Sequence, residues 1–416
     1  MNLGAELLPS HCDVLVVGAG PAGSATAQLL ARAGRDVVLV DAQAFPRDKV
    51  CGDGLIPDAH RALARLGVLD AVMAEARASS TLGCIAPRGG RIDVPGRLAV
   101  LPRKRLDDII CRAAAAAGAR MFAPLRFVAP LRHGGETGTV VGALLKQADA
   151  VREIRAQWVV LATGAQPQAT IAAGMCERRT PSGIALRGYV KNPRMASRIT
   201  SLEVVWHKRL APGYGWIFPC GGDVFNIGVG MAPSHRQGKN GRHAMKEMNL
   251  REVFAAFKDL YAPARQLVEG GQWQADAGRE LKGAPLRCSL EGARLAAPGL
   301  LVTGEAAGST YAFTGEGIGK AMETGMHAAE AILGSDDDAV VRADYEARVM
   351  ALKPRFALYE EANRANAHPW LIDLLVWSAR RSPRRVERMA GVLEETHIPT
   401  DAVTVRGVLR RLFDWR

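Results

Sequence analysis

Short apolar runs bounded by glycine recur along the 416 residues, and the spacing of apolar positions changes between them. "DVLVV" (13–17) ends on a glycine, "SATAQLLARAG" (24–34) carries apolar residues at helical spacing, and "RDVVLVD" (35–41) returns to a strand. Strand, helix and strand in so short a stretch predict a βαβ unit and hence a parallel sheet. "IPDAHRALARLGVLDAVMAEA" (56–76) predicts a helix. "GRIDVPGRLAVLPRKRLDDIICRAAAAAGA" (90–119) predicts short strands and then an Ala-rich helix from about Leu106. "IRAQWVVLATGA" (154–165) reads as a buried strand stopped by Gly164. From 183 to 290 the pattern turns to alternation: "TSLEVVWHK" (200–208) is strand-like, and "YGWIFPCGGDVFNIGVGM" (214–231) predicts a hairpin turning at Gly221-Gly222-Asp223. "GLLVTGEAAG" (299–308) resumes the parallel-strand character, and a helix follows from Gly317 through the 330s. Residues 340–416 predict helices broken at Pro354, Pro369, Pro383 and Pro399.

Chemistry enters with the glycines. Gly18, Gly20 and Gly23 stand in G-x-G-x-x-G spacing after a strand and before a helix, and Asp41 ends the next strand. In that context Gly18 allows a tight turn, Gly20 lets a pyrophosphate reach the helix N-terminus, and Gly23 permits close helix–strand packing. Asp41 is suited to a ribose. A second unit spans 300–325: Glu305 follows the strand end, placed for a ribityl hydroxyl, and Gly315-Glu316-Gly317 opens a helix. Backbone N–H groups at Gly317 and Ile318 would then face developing negative charge on a ring. A strand-end acid and a glycine-rich helix start late in the chain fit FAD better than NAD. Arg47 and Arg103 are candidates for phosphate or ring contacts, with surface charge as the plain alternative. The segment "VLVDAQAFPRDKVCGDGL" (38–55) places Cys51 and Gly52 between Lys49 and a glycine turn. Lys49 would favour a thiolate there, against the plain alternative of a buried packing cysteine.

Charge and cysteine content narrow the classes. The net charge of +12 suggests nucleic acid, yet the arginines are scattered and no nucleic-acid-binding motif accompanies them. The densest run, "ARRSPRRVERM" (379–389), is either a solvated helix face or a contact for an anionic surface. With "VRGVLRRLFDWR" (405–416) it makes the C-terminal region a candidate peripheral membrane contact, Val408, Leu409, Leu412, Phe413 and Trp415 forming an apolar side. Apolar runs are too short to span a bilayer, and the first ten residues lack a secretory pattern, so the expected address is the cytoplasm. Seven cysteines without a C-x-x-C pair argue against a disulfide framework or a zinc site, and no histidine sits in a metal or triad arrangement.

The combination of "DVLVVGAGPAGSATAQLLARAG", "FPRDKVCGDGL" and "GEAAGSTYAFTGEGIGKAMETG" resembles the geranylgeranyl reductase family, within the FAD-dependent para-hydroxybenzoate-hydroxylase-like superfamily. "YGWIFP" (214–219) is similar to the family's Y-x-W-x-F-P box, and "RKRLD" (103–107) to the superfamily's R-x-x-F-D segment. Departures are Glu305 for the usual Asp, Ala312 for a common proline, and Thr163 where an Asp often stands. The resemblance implies an α/β protein: a Rossmann-type FAD-binding domain (10–80, 100–182 and 285–335), an inserted antiparallel β-sheet substrate domain (81–99 and 183–284), and C-terminal helices (336–416). It implies a reduced FAD acting on an apolar small molecule, with Cys51 near the flavin and Tyr214, Trp216 and Phe218 lining the substrate site; ordinary sheet packing is the plain alternative for these three. The external electron donor would be NAD(P)H or a reduced carrier. The leading activity is reduction of C=C bonds in a prenyl or lipid-like substrate. The alternatives are a monooxygenase or dehydrogenase on an aromatic or natural-product scaffold or a partner-protein residue, and a flavin-binding sensor without turnover.

Overall fold

His11–Val17 is the central strand of a parallel sheet in the computed structural model, which describes residues 2–237, 243–245, 249–275 and 278–397. Its residues are apolar at consecutive positions because both faces are covered, as parallel sheets require. Val37–Val40 and Ala150–Leu161 flank it, with Val16 opposite Leu39 and Val160; Arg120–Phe122 and Leu300–Val302 extend the sheet on the two sides. The helix Pro21–Arg32 makes the crossover predicted from the sequence, and the helix Ile318–Gly334 lies against it, Thr26 Oγ1 donating to Gly325 O at 2.8 Å.

A second sheet has nine strands. Its order is Gln272–Trp273, Gly183–Lys191, Val224–Met231, Gly213–Gly221, Leu202–Val205, Arg77–Ile85, Arg91–Val100 and Gly54–Leu55, with Lys282–Leu286 also on Gly183–Lys191. All these pairs are antiparallel except Leu202–Val205 with Arg77–Ile85. The predicted hairpin is present, pairing Phe218 with Asn226 and turning through Gly222 and Asp223 at φ of 56° and 60°. The architecture is thus an α/β body with a Rossmann-type half, a largely antiparallel sheet and a helical C-terminal region.

Three elements differ from the pattern reading. The helix predicted over 56–76 is two, Pro57–Arg65 and Leu69–Glu75, because Gly67 adopts φ of 71° and turns the chain. The Ala-rich helix starts at Arg103 rather than Leu106, since Arg103 pairs with Asp107 one turn on. The hairpin Arg126–His133 with Thr139–Gln147, and the amphipathic helices Leu250–Leu260 and Ala262–Glu269, are absent from the pattern reading. Pro354 and Pro383 open helices (Lys353–Ala362 and Pro383–Leu393) and Pro369 precedes Trp370–Ala379, as fits a residue without an N–H to offer; Pro399 lies outside the described residues. The Trp370–Ala379 helix buries Leu371, Ile372, Leu375 and Val376 against Ile92, Val94, Val204 and Trp206 of the second sheet. All seven cysteines are free, and burial pushes the thiols of Cys12, Cys84, Cys111 and Cys288 up to about 12, as expected of small hydrophobes. Among the described residues no helix is long and apolar enough to cross a membrane.

Candidate active site

The glycine turn after His11–Val17 is closed in two places and open in one. A Cβ on Gly18 would lie 2.3 Å from Ala162 O, and one on Gly23 1.8 Å from Gly18 O, so both positions exclude any side chain. A Cβ on Gly20 would meet only guanidinium ends, Arg47 Nη2 at 3.5 Å and Arg103 Nη2 at 3.9 Å. Gly20 is also the N-cap residue of the crossover helix, which has no side-chain cap. Open space, unpaired helix N–H groups and two cations together make an anion cradle. Asp41 receives the Ala19 N–H at 2.9 Å and the Arg47 guanidinium at 3.2 Å. Arg47 also reaches Asp107 at 2.9 Å, and Asp107 takes Arg103 at 2.6 and 2.8 Å. Burial works against the Asp107 charge, but Arg103 and Arg47 hold its carboxyl below the ordinary carboxylate range. Across the turn, Thr163 Oγ1 is buried without a protein partner, and Gly164, at φ of 73°, faces open space. An orphaned hydroxyl and an anion cradle are features that a bound dinucleotide such as FAD would complete.

Cys51 lies in the loop after Val37–Val40, half-buried. Burial pushes its thiol up, and the Arg103 guanidinium beside it opposes that shift. The expected thiolate partner is engaged elsewhere: Lys49 Nζ donates to Glu305 Oε2 at 2.8 Å. Burial thus works against the thiolate expected at Cys51, while the charges of Arg103 and Lys49 favour it.

The same loop packs on the aromatic strand Gly213–Gly221. Cβ atoms on Gly52 and on Gly54 would each sit 3.3 Å from Phe218 Cε2. Tyr214, Trp216 and Phe218 share one face, neighbouring rings 6.4 Å apart in both pairs. Their environments differ. Trp216 is buried, with Nε1 donating to Asn226 Oδ1 at 2.9 Å, which is a structural position; Tyr214 and Phe218 stay half-buried. Tyr214 Oη donates to Thr314 O at 2.5 Å, tying the strand to the Gly315-Glu316-Gly317 turn.

A buried polar network holds this junction and was not foreseen. Asn226 Nδ2 donates to Cys51 O and to Asp53 Oδ2, both at 2.8 Å. Asp53 also accepts Tyr189 Oη at 2.5 Å and the Arg103 N–H at 3.2 Å, and its burial pushes the carboxyl up to about 6. Arg187 binds Asp48 at 2.5 Å. The signal was available: Arg187 in "GIALRGYVK" and Asn226 in "VFNIGVG" are lone polar residues inside apolar strands.

The second glycine unit also differs from expectation. The Ile318 N–H, expected to face a cleft, instead points at Glu316 Oε1 at 3.1 Å, as does the Gly319 N–H at 3.3 Å. Burial, with Asp58 nearby, pushes the Glu316 carboxyl up; burial also pushes up Asp58, against the opposing pull of Lys320 at 3.8 Å. Gly315 takes φ of 70°, and a Cβ there would lie 2.9 Å from Tyr214 Oη.

Residues 11–224 match the family described as FAD binding domain. The chain is 35% identical over 332 residues to the menaquinone reductase of Mycolicibacterium smegmatis, covering 77% of this chain and 76% of that one. It is 29% identical over 325 residues to digeranylgeranylglycerophospholipid reductase 1 of Methanopyrus kandleri, covering 76% and 79%. Among solved structures, a geranylgeranyl bacteriochlorophyll reductase-like protein of Thermoplasma acidophilum has a TM-score of 0.70 at 20% identity, covering 97% of this chain and 96% of that one. A flavin-dependent brominase has a TM-score of 0.71 at 20% identity, covering 97% and 98%. The last two likenesses concern the fold.

Proposed function

Because the chain belongs to the FAD binding domain family, in its geranylgeranyl reductase branch, and is an FAD-dependent oxidoreductase, we propose that it saturates a C=C bond in the prenyl chain of an apolar lipid or quinone. Relatives named for menaquinone and for a digeranylgeranyl lipid support that substrate class, since both compounds carry unsaturated isoprene units. When bound, FAD supplies two electrons as a hydride. Gly18, Gly20 and Gly23 with the helix N-terminus, Arg47 and Arg103 would hold the pyrophosphate; Asp41 would serve the ribose and Glu305 the ribityl chain. Gly52, Gly164, Gly315, Gly317 and Ile318 would supply the ring's surroundings. Tyr214 and Phe218 face the prenyl chain, and Trp216 fixes their strand. Saturating the alkene needs a hydride at one carbon, which bound FAD would supply, and a proton at the other. Cys51 donates it from Sγ, and Arg103 stabilises the thiolate left behind until solvent reprotonates it.

The observation carrying this reading is the loop at Gly52 and Gly54 packed on Phe218 of the aromatic strand, in the same molecule as an anion cradle at Gly20 faced by Arg47 and Arg103. The electron donor is NAD(P)H or a reduced carrier. The test is anaerobic incubation of the purified holoenzyme with a chemical reductant and a polyprenyl lipid, followed by mass spectrometry. Product heavier by two hydrogens per turnover is expected; unchanged lipid opposes the reading. Oxygen use on an aromatic scaffold, the alternative suggested by the brominase fold, would instead give an oxygenated product and only in air.

A further inference from the structure

Two aromatic side chains stand among the large apolar residues exposed on the described part of the molecule, and both lie on one helix. They are Trp370, 53% exposed, and Trp377, 47% exposed, on Trp370–Ala379. Their spacing of seven puts them on one face, about 10 Å apart along the axis. Leu374, half-buried, falls between them on the same face. A tryptophan pair left in water is unusual for a helix whose other face is fully packed, and such rings favour the boundary between water and hydrocarbon.

The charge next to this stripe has one sign. Arg381 stacks on Trp377, its guanidinium carbon 4.0 Å from the ring centroid. Arg380, Arg384 and Arg388 are also exposed, and across 379–389 five arginines face a single acid, Glu387. The acid within the tryptophan helix, Asp373, takes the Arg88 N–H at 3.0 Å, with Arg88 Nε at 3.9 Å. The result is an indole stripe bordered by guanidiniums. An acidic protein groove would match the charge but not call for two exposed indoles; an anionic bilayer surface matches both.

The inner face of the same helix belongs to the cluster against which Tyr214 and Phe218 pack. The helix is therefore the wall between the aromatic strand of the site and the outside. We propose that Trp370, Leu374 and Trp377, with the arginines that follow, dock the enzyme on an anionic lipid bilayer, so that the apolar substrate enters the site from the membrane. This rests on the prenyl-lipid reading of the site.

The test is sedimentation of the full-length holoenzyme with vesicles of phosphatidylcholine alone or mixed with phosphatidylglycerol. Binding to the mixed vesicles is expected, with loss of binding as salt rises. The Trp370→Ser/Trp377→Ser variant is expected to bind about tenfold more weakly or worse. An unchanged flavin absorbance spectrum shows that the variant is folded. As a second readout, lipids with brominated acyl chains should quench the wild-type indole fluorescence and quench the variant less. Equal vesicle binding by both proteins, or none by the wild type, overturns the proposal; so does a concentration-dependent dimer that the variant abolishes. Turnover of a short prenyl alcohol in detergent separates the two claims. Turnover there without vesicle binding removes only the membrane proposal, and vesicle binding without turnover removes only the reductase reading.

Discussion

On the proposed function Cys51 is the proton donor: burial raises its thiol, and the Arg103 guanidinium, which opposes that shift, stabilises the thiolate once the proton has gone. Cys51→Ser is therefore expected to slow prenyl reduction about 100-fold or more while FAD affinity stays near wild type. Single-turnover measurements on the reduced variant check this, and an unchanged rate would remove Cys51 from the chemistry. Glu316 is a second residue with a pH signature. Its folded carboxyl titrates above the unfolded value, so the fold binds that proton more tightly than the unfolded chain does. The corresponding stability is fully present below the unfolded carboxylate range and is lost as pH rises through neutrality. Melting temperature is expected to fall across that window in the wild type and to flatten in Glu316→Gln. Gln keeps an oxygen for the Ile318 and Gly319 N–H groups, so a variant with the wild-type pH slope would contradict the assignment.

Among the elements, the glycine turn separates folding from binding. Gly23→Ala puts a Cβ 1.8 Å from a backbone oxygen and is expected to leave little folded protein. Gly20→Ala meets only the ends of two flexible arginines and is expected to fold normally yet lose FAD. Circular dichroism and flavin absorbance of the two variants check the contrast; FAD retained by Gly20→Ala would displace the pyrophosphate from the cradle. This turn was legible in the sequence because backbone geometry admits only glycine at two of its positions. The Gly221-Gly222-Asp223 hairpin was legible for a similar reason, three consecutive positive φ values. Asn226 stood out as a lone polar residue in an apolar strand, but its pairing with Asp53 was not legible, since 173 residues separate partners that only tertiary packing unites. The Gly315-Glu316-Gly317 turn was half legible: its glycines marked a helix start, but nothing local says that the intervening Glu folds back to cap it.

In the whole molecule, three segments far apart in sequence meet. The Cys51 loop touches the aromatic strand at Phe218, the aromatic strand reaches the glycine turn through Tyr214 and Thr314, and Lys49 spans to Glu305 across 256 positions. Period and glycine spacing made the start of the parallel half readable, because its first βαβ unit, from His11–Val17 to Val37–Val40, is local. The second sheet was less so: its strands come from both sides of the helix at 103–116, and the pairing of Leu202–Val205 with Arg77–Ile85 joins those two parts. On the proposed function, this convergence serves electron delivery to an alkene. The most direct test mixes the reduced holoenzyme with a polyprenyl lipid in a stopped-flow instrument without oxygen and follows flavin absorbance. The account expects reoxidation of the flavin at a rate that rises with lipid concentration. A flavin that stays reduced with the lipid and reoxidises only when oxygen is admitted would contradict it.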